Sequence, residues 1–453
     1  MKTKEKPNWA LPTTTAVNEV LPRWMKWAWS GRTLAYSLNF LLMAQITFYC
    51  TDMLAIPANI VGILLLASKI FDGISDIVAG YIIDRTNTRW GKARPFDIFM
   101  ALTWVSTVFL FSAPEFSLTG KCVYVFILYT LTNSVCSTFA SCGDGVYLKR
   151  AVRSEKNRVS LTSFTGAIVM FFSIIVGIVL PQMLATLGTT KPGWTKMSLI
   201  FAVPLIIMGS IRMFTVKEVA SEQQEAEKTS PKVPFKDVLR AISKNKLIMF
   251  FCIMNIAYQI VQVACGFNYY FKWVMGDLGL ASVLGLASMV IPIALMFIPA
   301  ITKKLGTSNL LIAGMILNLI GCVVRMILPY NMLFLVIAQL FTMVGMLPVA
   351  SLGNIYLLEC MEYGQKRSGI NIDGVTGSLS GFSLKVGSAV GSALTGLLMG
   401  MAGYISDTSV TVQPESALSM IRFMFVVLPT ILGAIVLVMA LIYKKERNNV
   451  LEA

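Results

Sequence analysis

The stretch that decides the fold runs from Lys69 to Pro95 and reads KIFDGISDIVAGYIIDRTNTRWGKARP. It begins in an apolar helix and ends in a basic loop. Asp72 and Asp76 are four residues apart, so they share one helix face about one turn from each other. Each carboxylate at bilayer depth costs roughly 2.5–3.5 kcal/mol, and two neighbours repel unless a cation or a proton lies between them. The pair therefore marks a candidate cation site.

The composition around this stretch is that of a polytopic membrane protein. Hydrophobic residues make up 56% of the 453 residues and charged residues 13%, with a mean hydropathy of +0.70, whereas soluble domains carry about 25% charged residues. Basic residues crowd into short loops between apolar runs, so the net charge of +15 indicates membrane topology. No basic surface interleaved with aromatic residues accompanies them, and nucleic acid is not an expected partner.

The sequence carries no pattern typical of an enzyme or of a structural metal site. There is no histidine, and the eight cysteines form no CxxC pair, which argues against zinc and against a disulfide framework. A phosphate-binding G-x-x-x-x-G-K-[ST] loop is also absent from the sequence. We therefore expect no catalytic residues, no ATP-driven pumping and no cofactor beyond a coupling ion.

Twelve windows have the roughly 20 mostly apolar residues that a membrane-spanning helix needs. They are 28–50, 57–83, 96–115, 121–145, 159–186, 195–215, 247–272, 278–302, 308–328, 331–357, 373–403 and 417–443. The polar segment 216–246 divides them six and six, as in transporters that rock two halves about a midplane site. The predicted organisation is an N-terminal half (1–215), a cytoplasmic connector (216–246), a C-terminal half (247–443) and a cytoplasmic tail (444–453).

Positive charge falls on one side of this predicted all-α bundle. The loops there carry, among others, Arg85, Arg94, Arg150 and Lys303, and basic loops face the cytoplasm. We therefore predict a multi-pass protein of the cell membrane with both termini in the cytoplasm. The bilayer is its expected surroundings, and a monomer its expected functional unit.

From Lys69 to Phe96 the chain resembles the glycoside-pentoside-hexuronide cation symporters, the melibiose-carrier-like family with a major-facilitator fold. The family pattern is a basic residue, Asp-x-x-x-Asp, Gly, Asp-Arg-Thr and then Arg-Trp-Gly-Lys/Arg-x-Arg-Pro. The matching positions here are Lys69, Asp72, Asp76, Gly80, Asp84-Arg85-Thr86, Arg89-Trp90-Gly91-Lys92 and Arg94-Pro95. The family's proline after the second Asp is replaced by Ile77.

Further stretches extend the resemblance along the chain. They are Thr51-Asp52, the loop from Arg150 to Arg158, and Phe382-Ser-Leu-Lys385, with its intramembrane lysine. The resemblance implies a major-facilitator bundle of 12 helices. It also implies symport of a sugar, glycoside or hexuronide-like solute, coupled to Na⁺ or H⁺, by alternating access.

The same resemblance implies that the second-helix carboxylates bind the cation with help from a fourth-helix hydroxyl. Hard monovalent cations prefer oxygen ligands, and four side chains offer them here: Asp72, Ser75, Asp76 and Thr138. The alternative is a structural network of the two carboxylates with Lys69 and Lys385. Both interpretations can hold if Lys385 tethers the carboxylates when the cation is absent and so couples the two halves.

A charge network is predicted at the cytoplasmic end of the second and third helices. Its members are Asp84, Arg85, Arg89 and Arg94, with Glu359 and Glu362 as partners from the other half. It would hold the state that is closed to the cytoplasm. The alternative is plain topology signalling, which needs positive charge but no fixed geometry.

The family's sugar-binding acids are missing from this chain. By the family's spacing their positions fall on Tyr36 and Ser141, and a fifth-helix Arg position falls on Gly166. The substrate-binding candidates are therefore Arg32, Tyr36, Asn39 and Ser141. Arg32 would suit an anionic solute such as a hexuronide through charge-assisted hydrogen bonds; alternatively, it snorkels to the cytoplasmic surface.

Two other functions stay open from the sequence. One is transport of a non-sugar anion or a lipid-like amphiphile, which a largely apolar cavity would favour. The other is a non-transporting sensor or scaffold on a transporter fold. The retained aspartate pair argues against the sensor, because replacing it with Leu would lower the free energy of membrane insertion.

Overall fold

A computed structural model describes residues 21–86, 88, 90–152, 154–218, 245–264, 266–368, 373–406 and 410–451. Within these ranges the chain is built from helices, and the only β pairing is an isolated bridge between Thr88 and Gly91. The predicted all-α class is thereby confirmed. Most of the predicted connector, residues 219–244, lies outside the described residues, and the predicted division into halves stays a prediction.

The helices follow one another with short connections. In residues 23–215 they are α1 (Arg23–Met43), α2 (Ile46–Asp52), α3 (Ala58–Arg85), α4 (Ile98–Leu110), α5 (Leu118–Thr130), α6 (Ser137–Ala151), α7 (Glu155–Thr186) and α8 (Lys191–Thr215). In residues 246–451 they are α9 (Lys246–Ala264), α10 (Phe267–Tyr269), α11 (Ala281–Ala287), α12 (Val290–Leu305), α13 (Thr307–Ile327), α14 (Met332–Ser368), α15 (Asp373–Met401), α16 (Glu415–Arg422) and α17 (Leu428–Leu451).

Three π-helical segments join neighbouring helices into longer ones. They are Leu131–Cys136 between α5 and α6, Tyr270–Val274 after α10, and Phe423–Val427 between α16 and α17. A π segment adds a residue to the helical turn and is frequent at functional sites. The first two lie beside the polar clusters described in the next subsection.

Nine helical segments in the described part of the chain are long and apolar enough to cross a bilayer, from Leu118–Leu148 to Glu415–Val450. The three remaining predicted windows, 28–50, 57–83 and 96–115, are helical as well. They do not meet the same measure because α1, although 21 residues long, is too polar, α3 carries the aspartate pair and Lys69, and α4 has only 13 residues. The protein is a multi-pass membrane protein, and twelve spans are consistent with this structure.

The outer faces of these helices suit a lipid environment. Large apolar side chains stay exposed along them, among them Ile207, Phe214, Ile293 and Met296. Polar side chains are instead buried between helices, where other polar groups can satisfy them. The distribution is therefore inverted relative to that of a water-soluble bundle.

Small residues let the two halves approach each other closely. A methyl group added at Gly396 of α15 would lie 2.5 Å from the carbonyl oxygen of Ala58 and 2.6 Å from Cα of Gly62, both on α3. A second approach joins α7 and α11, where a methyl group at Gly285 would lie 2.8 Å from the carbonyl oxygen of Gly177. Close backbone contact between small residues is a common way for helices to associate in membranes.

The two ends of the bundle differ in chemistry. We call the end where α3, α6, α12 and α14 finish the basic end, since it carries the loop 86–97 and the lysines at 303 and 304. The opposite end contains the connections 53–57, 187–190 and 275–277 and the described residues 402–406 and 410–414. The α3–α15 glycine contact lies toward the opposite end, because α3 begins there and α15 finishes there.

Replacing Gly396 with Ala is expected to lower the thermal unfolding midpoint, because overpacking a tight contact costs about 1–3 kcal/mol. Gly381→Ala is the matched control on the same helix, since a methyl group there meets no atom within 4 Å. Unfolding of the two purified variants in one detergent is the measurement. Equal midpoints would show that the α3–α15 contact does not restrict side-chain size.

Candidate functional site

Asp72 lies where α3, α6 and α15 meet, and side chains from both halves contact it. Its side chain is 8% exposed. The Thr138 hydroxyl donates a hydrogen bond to Oδ1 over 3.3 Å, and Nζ of Lys385 lies 3.6 Å from Oδ2. The carboxylate therefore joins the predicted cation-site hydroxyl to the predicted coupling lysine.

The remaining predicted members of the cation site are only partly described. The Ser75 hydroxyl donates to the carbonyl oxygen of Asp72 on its own helix over 2.9 Å, which leaves its oxygen lone pairs available. Asp76 has its backbone on α3, but its side chain lies outside the described residues. Lys69 is half-buried and makes no ion pair with any described side chain. The role of these residues in cation binding stays a prediction.

The π segment before α6 fixes where Thr138 points. Ser134 within it donates to the carbonyl oxygen of Ser68 over 3.0 Å, and Thr130 just before it donates to the Ser68 hydroxyl over 2.9 Å. Both bonds tie the α5–α6 helix to α3 one turn before Asp72. This irregular turn, which brings Thr138 onto the Asp72 carboxylate, was not predicted from the hydropathy pattern.

At the opposite end, Asp52 is the centre of a polar seal between the halves. Its side chain is 2% exposed and pairs with the ammonium group of Lys272. The Tyr404 hydroxyl donates to Oδ1 over 2.7 Å, and the Thr51 hydroxyl donates to the same oxygen over 2.8 Å. Trp273 completes the cluster by donating its indole N–H to Tyr404 over 2.9 Å.

Aromatic rings exclude water around this seal. Tyr269 lies 5.4 Å from both Phe48 and Tyr404, ring centre to ring centre, and its hydroxyl lies 2.9 Å from that of Thr51. Burial, followed by the Asp52 charge, raises the pKa of Tyr404 well above its usual value. The phenol therefore keeps its proton and serves as a hydrogen-bond donor.

The sequence did not predict this seal, although Thr51-Asp52 matches the family pattern. Asp52 and Tyr404 are 352 residues apart in the chain, and Asp52 and Lys272 are 220 apart. Lys272 also lies in the π segment Tyr270–Val274, so a regular helical pattern misplaces its side chain. Further bonds between the halves join Asn268 to Gln45 and Gln182 to the carbonyl oxygen of Gly279 at this same end.

At the basic end, the loop 90–94 is bound by Glu218, which follows α8 in the chain. Its carboxylate is 2% exposed and accepts hydrogen bonds from the backbone N–H groups of Lys92 over 2.8 Å, Ala93 over 2.7 Å and Arg94. A methyl group at Gly91, where φ is +124°, would overlap this carboxylate. The Gly of the Trp-Gly motif is therefore required by the close approach of Glu218.

The predicted charge network at this end has different partners from those expected. Arg94 donates through Nε to the carbonyl oxygen of Met213 and through Nη2 to that of Phe214, both on α8. Arg85 is exposed and lies 4.2 Å from the ring of Tyr81 on its own helix. Arg89 and the side chain of Asp84 lie outside the described residues.

The two carboxylates expected to bridge the halves also pair within their own half. Glu359 accepts hydrogen bonds from Thr307 and Tyr443 over 2.9 Å each, and it pairs with Arg447 over 3.0 Å. Glu362 pairs with Lys366 one turn later on α14. Among the described residues, no ion pair joins Glu359 or Glu362 to the basic loop. The role of such a bridge in a state closed at the basic end stays a prediction.

Four charged side chains form a compact network inside the N-terminal half. Arg212 donates to Asp97 Oδ2 over 2.7 Å and to Asp144 Oδ1 over 2.5 Å. Arg32 lies 3.5 Å from Asp97 Oδ1 and 3.6 Å from Asp144 Oδ1. We call these residues the four-charge network. The two Arg and two Asp side chains balance in formal charge.

The network decides the position of Arg32. The side chain of Arg32 is 3% exposed and also donates to the carbonyl oxygen of Ala140, so the snorkelling alternative is wrong. Sequence reasoning missed Asp97, Asp144 and Arg212. The available signal was charged residues within predicted apolar windows, which need a partner in the bundle.

The other predicted substrate residues lie in two different surroundings. The Asn39 amide donates to Thr107 over 2.9 Å, and the residue is buried between α1 and α4. Tyr36 is half-buried, and its hydroxyl accepts a hydrogen bond from Ser137 over 3.1 Å. Ser141 is exposed on α6. Tyr36 and Ser141 thus border open space, while Asn39 fastens two helices together.

Comparisons with known proteins agree with this architecture. A family model described as MFS/sugar transport protein matches residues 30–447. The isoprimeverose transporter of Lactiplantibacillus pentosus is 26% identical over 96% of this chain and 91% of its own length. A putative glycoside/cation symporter of Escherichia coli strain K12 is 26% identical over 89% of this chain and 87% of its own length. The crystal structure of a D-xylose-proton symporter superimposes with a TM-score of 0.61 at 14% identity, covering 91% of this chain and 96% of that one, which shows a shared fold.

Replacing Lys272 with Met is expected to open the seal at the opposite end, because Asp52 would keep a buried charge without its cation. A cysteine substituted at Thr51, which is 0% exposed, would report the opening through its rate of maleimide labelling. We expect T51C/K272M to be labelled roughly tenfold faster than T51C, which corresponds to about 1.4 kcal/mol. Fragment-ion mass spectrometry of the labelled peptide separates this site from the native cysteines, including the neighbouring Cys50.

The matched control is T51C/K191M, which removes a lysine from an exposed pair with Glu115 at the same end. Exposed pairs contribute little to stability, so labelling there should equal that of T51C. If the Lys272 variant were labelled no faster than this control, the Asp52 pair would not hold the seal.

Proposed function

The chain belongs to the family of MFS/sugar transport proteins, and from that premise we propose that it is a cation-coupled symporter of a sugar or glycoside. One observation carries the proposal: a single carboxylate, Asp72, contacts a hydroxyl of one half and an ammonium group of the other. A group shared in this way can link ion binding to the relative position of the halves, which is what coupled transport requires.

The coupling step begins with competition for Asp72. The Lys385 ammonium group lies 3.6 Å from Oδ2 of Asp72. A cation that binds this carboxylate therefore competes with the positive charge of Lys385. Binding of Na⁺ or H⁺ weakens the attraction of Lys385 to Asp72, and the contact between α3 and α15 changes with it. The oxygen atoms of Thr138 and Ser75 support Na⁺, whereas a proton needs only the carboxylate.

The arrangement of the two ends supports alternating access. Hydrogen bonds and aromatic rings close the opposite end around Asp52, while Glu359 and Glu362 pair within their own half at the basic end. Positive loops face the cytoplasm, so we assign the basic end and both termini to the cytoplasmic side. On that assignment the present state is closed toward the outside and faces the cytoplasm.

The solute class follows from the relatives and from the exposed side chains. The names of the relatives refer to isoprimeverose and to glycosides. Tyr36, Ser141 and Asp144 provide hydroxyl and carboxylate groups next to open space, which suits a solute rich in hydroxyl groups better than a lipid-like amphiphile. We propose that the chain is a transporter and not an enzyme, that it works as a monomer, and that it needs no cofactor except its coupling ion.

Replacing Asp72 with Asn is expected to abolish accumulation of the solute against its gradient, because the amide lacks the negative charge that attracts a cation and cannot take up a proton. The measurement is uptake of isoprimeverose into proteoliposomes, with a sodium gradient or a pH gradient imposed in separate experiments. Wild-type protein should accumulate the sugar above its external concentration under at least one gradient. The variant should reach no more than equilibrium.

Asp277→Asn is the matched control, since Asp277 is exposed and caps a short turn through Gly279, a bond that Asn can also accept. It should accumulate the sugar as the wild type does. If Asp72→Asn accumulated isoprimeverose to the wild-type level under the same gradient, cation coupling at Asp72 would be refuted.

A further inference from the structure

The four-charge network exposes only one of its members to open space. The side chains of Arg32, Asp97 and Arg212 are 3%, 4% and 0% exposed, whereas that of Asp144 is 31% exposed. The positive charge of Arg32, which by itself would suit an anionic solute, is balanced inside the network. A solute approaching this face therefore meets a carboxylate and not a guanidinium group.

The two oxygens of Asp144 have different surroundings. Arg212 and Arg32 both approach Oδ1, over 2.5 and 3.6 Å. Within the described part of the chain, Oδ2 accepts no hydrogen bond from a protein group. An ionised carboxylate can accept several hydrogen bonds, so two guanidinium groups hold this side chain in place while one oxygen stays available.

The face of α6 that carries Asp144 is polar and open. Ser141 is exposed one turn earlier, and a methyl group at the neighbouring Gly145 would meet no atom within 4 Å. Faces of this protein that suit lipid carry large apolar side chains instead. Exposed Ser, Asp and Gly on one helix face indicate a wet cavity.

This face continues into the candidate cation site. Thr138, which contacts Asp72, lies on the same helix as Asp144, and six residues of α-helix span about 9 Å. Near that end of the face, the charge of Lys385 is offset by Asp72 at 3.6 Å. A hydroxyl-bearing solute on this face would meet the Ser141 hydroxyl and the Asp144 carboxylate.

From this arrangement we propose that Asp144 is a specificity-determining residue that accepts a hydrogen bond from a solute hydroxyl and makes the site select neutral sugars over anionic ones. The inference rests on the proposed transport of sugars and adds which sugars are selected. A neutral glycoside donates its hydroxyl to Oδ2. A uronic acid or a sulfonate of the same size brings a negative charge toward a fixed carboxylate, and the two like charges repel each other.

A pair of ligands that differ in one group tests the proposal on the wild-type protein. Methyl β-D-glucoside and methyl β-D-glucuronide differ by a hydroxymethyl group against a carboxylate. Their dissociation constants can be measured by the ligand-dependent shift of thermal unfolding at saturating Na⁺. We expect the glucoside to bind at least roughly tenfold more tightly, since a hydrogen bond to a charged group is gained and a repulsion avoided. Equal binding, or tighter binding of the glucuronide, would overturn the proposal.

Asp144→Asn identifies the residue responsible. The amide keeps an oxygen for the network but removes the charge, so the preference for the glucoside over the glucuronide should fall by roughly tenfold. Asp97→Asn is the control within the same network, because Asp97 is 4% exposed and faces the two Arg side chains. It should lower the unfolding midpoint and leave the preference unchanged. An equal change of preference in both variants would mean that Asp144 acts only as part of the structural network.

The two proposals fail in different measurements. Selectivity is measured by equilibrium binding and does not require a gradient. Loss of preference in the wild type, with gradient-driven uptake intact, would remove the role of Asp144 and leave symport standing. If the glucoside bound more tightly but neither a sodium gradient nor a pH gradient drove uptake, symport would be refuted and the role of Asp144 would stand.

Discussion

A charge inside a bilayer persists only where another group compensates it, and Asp72 meets this constraint with partners from both halves of the protein. Thr138 supplies a hydroxyl from one half, and Lys385 supplies an ammonium group from the other. Neither half alone provides the full set of contacts. The position of the halves and the charge on one carboxylate therefore depend on each other, and the proposed transport cycle uses this dependence.

Two other groups of charges in the described part of the bundle differ in how they pair. Those of the four-charge network pair within one half and fasten α1, α6, α8 and the turn before α4, so this half can move as a unit. Those of the seal around Asp52 pair between halves, through hydroxyl groups and a lysine at the edge of the bundle. Pairs within a half give rigidity, and pairs between halves give a contact that can be broken and remade.

The basic loop shows how one motif can serve two needs. Its positive charges favour the cytoplasmic side of a membrane, and this preference does not depend on the exact position of each charge. Its Trp-Gly step, however, places three consecutive N–H groups around Glu218, and a side chain at Gly91 would overlap that carboxylate. The fixed geometry that the motif predicted is present, and among the described residues its cause is the contact with Glu218, which follows α8.

The sequence by itself determined the class of protein, the all-α bundle and the family, and it predicted as site residues Asp72, Thr138 and Lys385, which are in contact in the structure. Hydropathy and family motifs are properties of short stretches of sequence. They can therefore be recognised without knowing which helices pack against each other. Only the tertiary structure decided the partners of each charge, because Asp52 and Tyr404, or Arg32 and Asp97, meet across long stretches of chain and through irregular π turns. Such pairings follow from how helices pack, and no periodicity within a single helix encodes them.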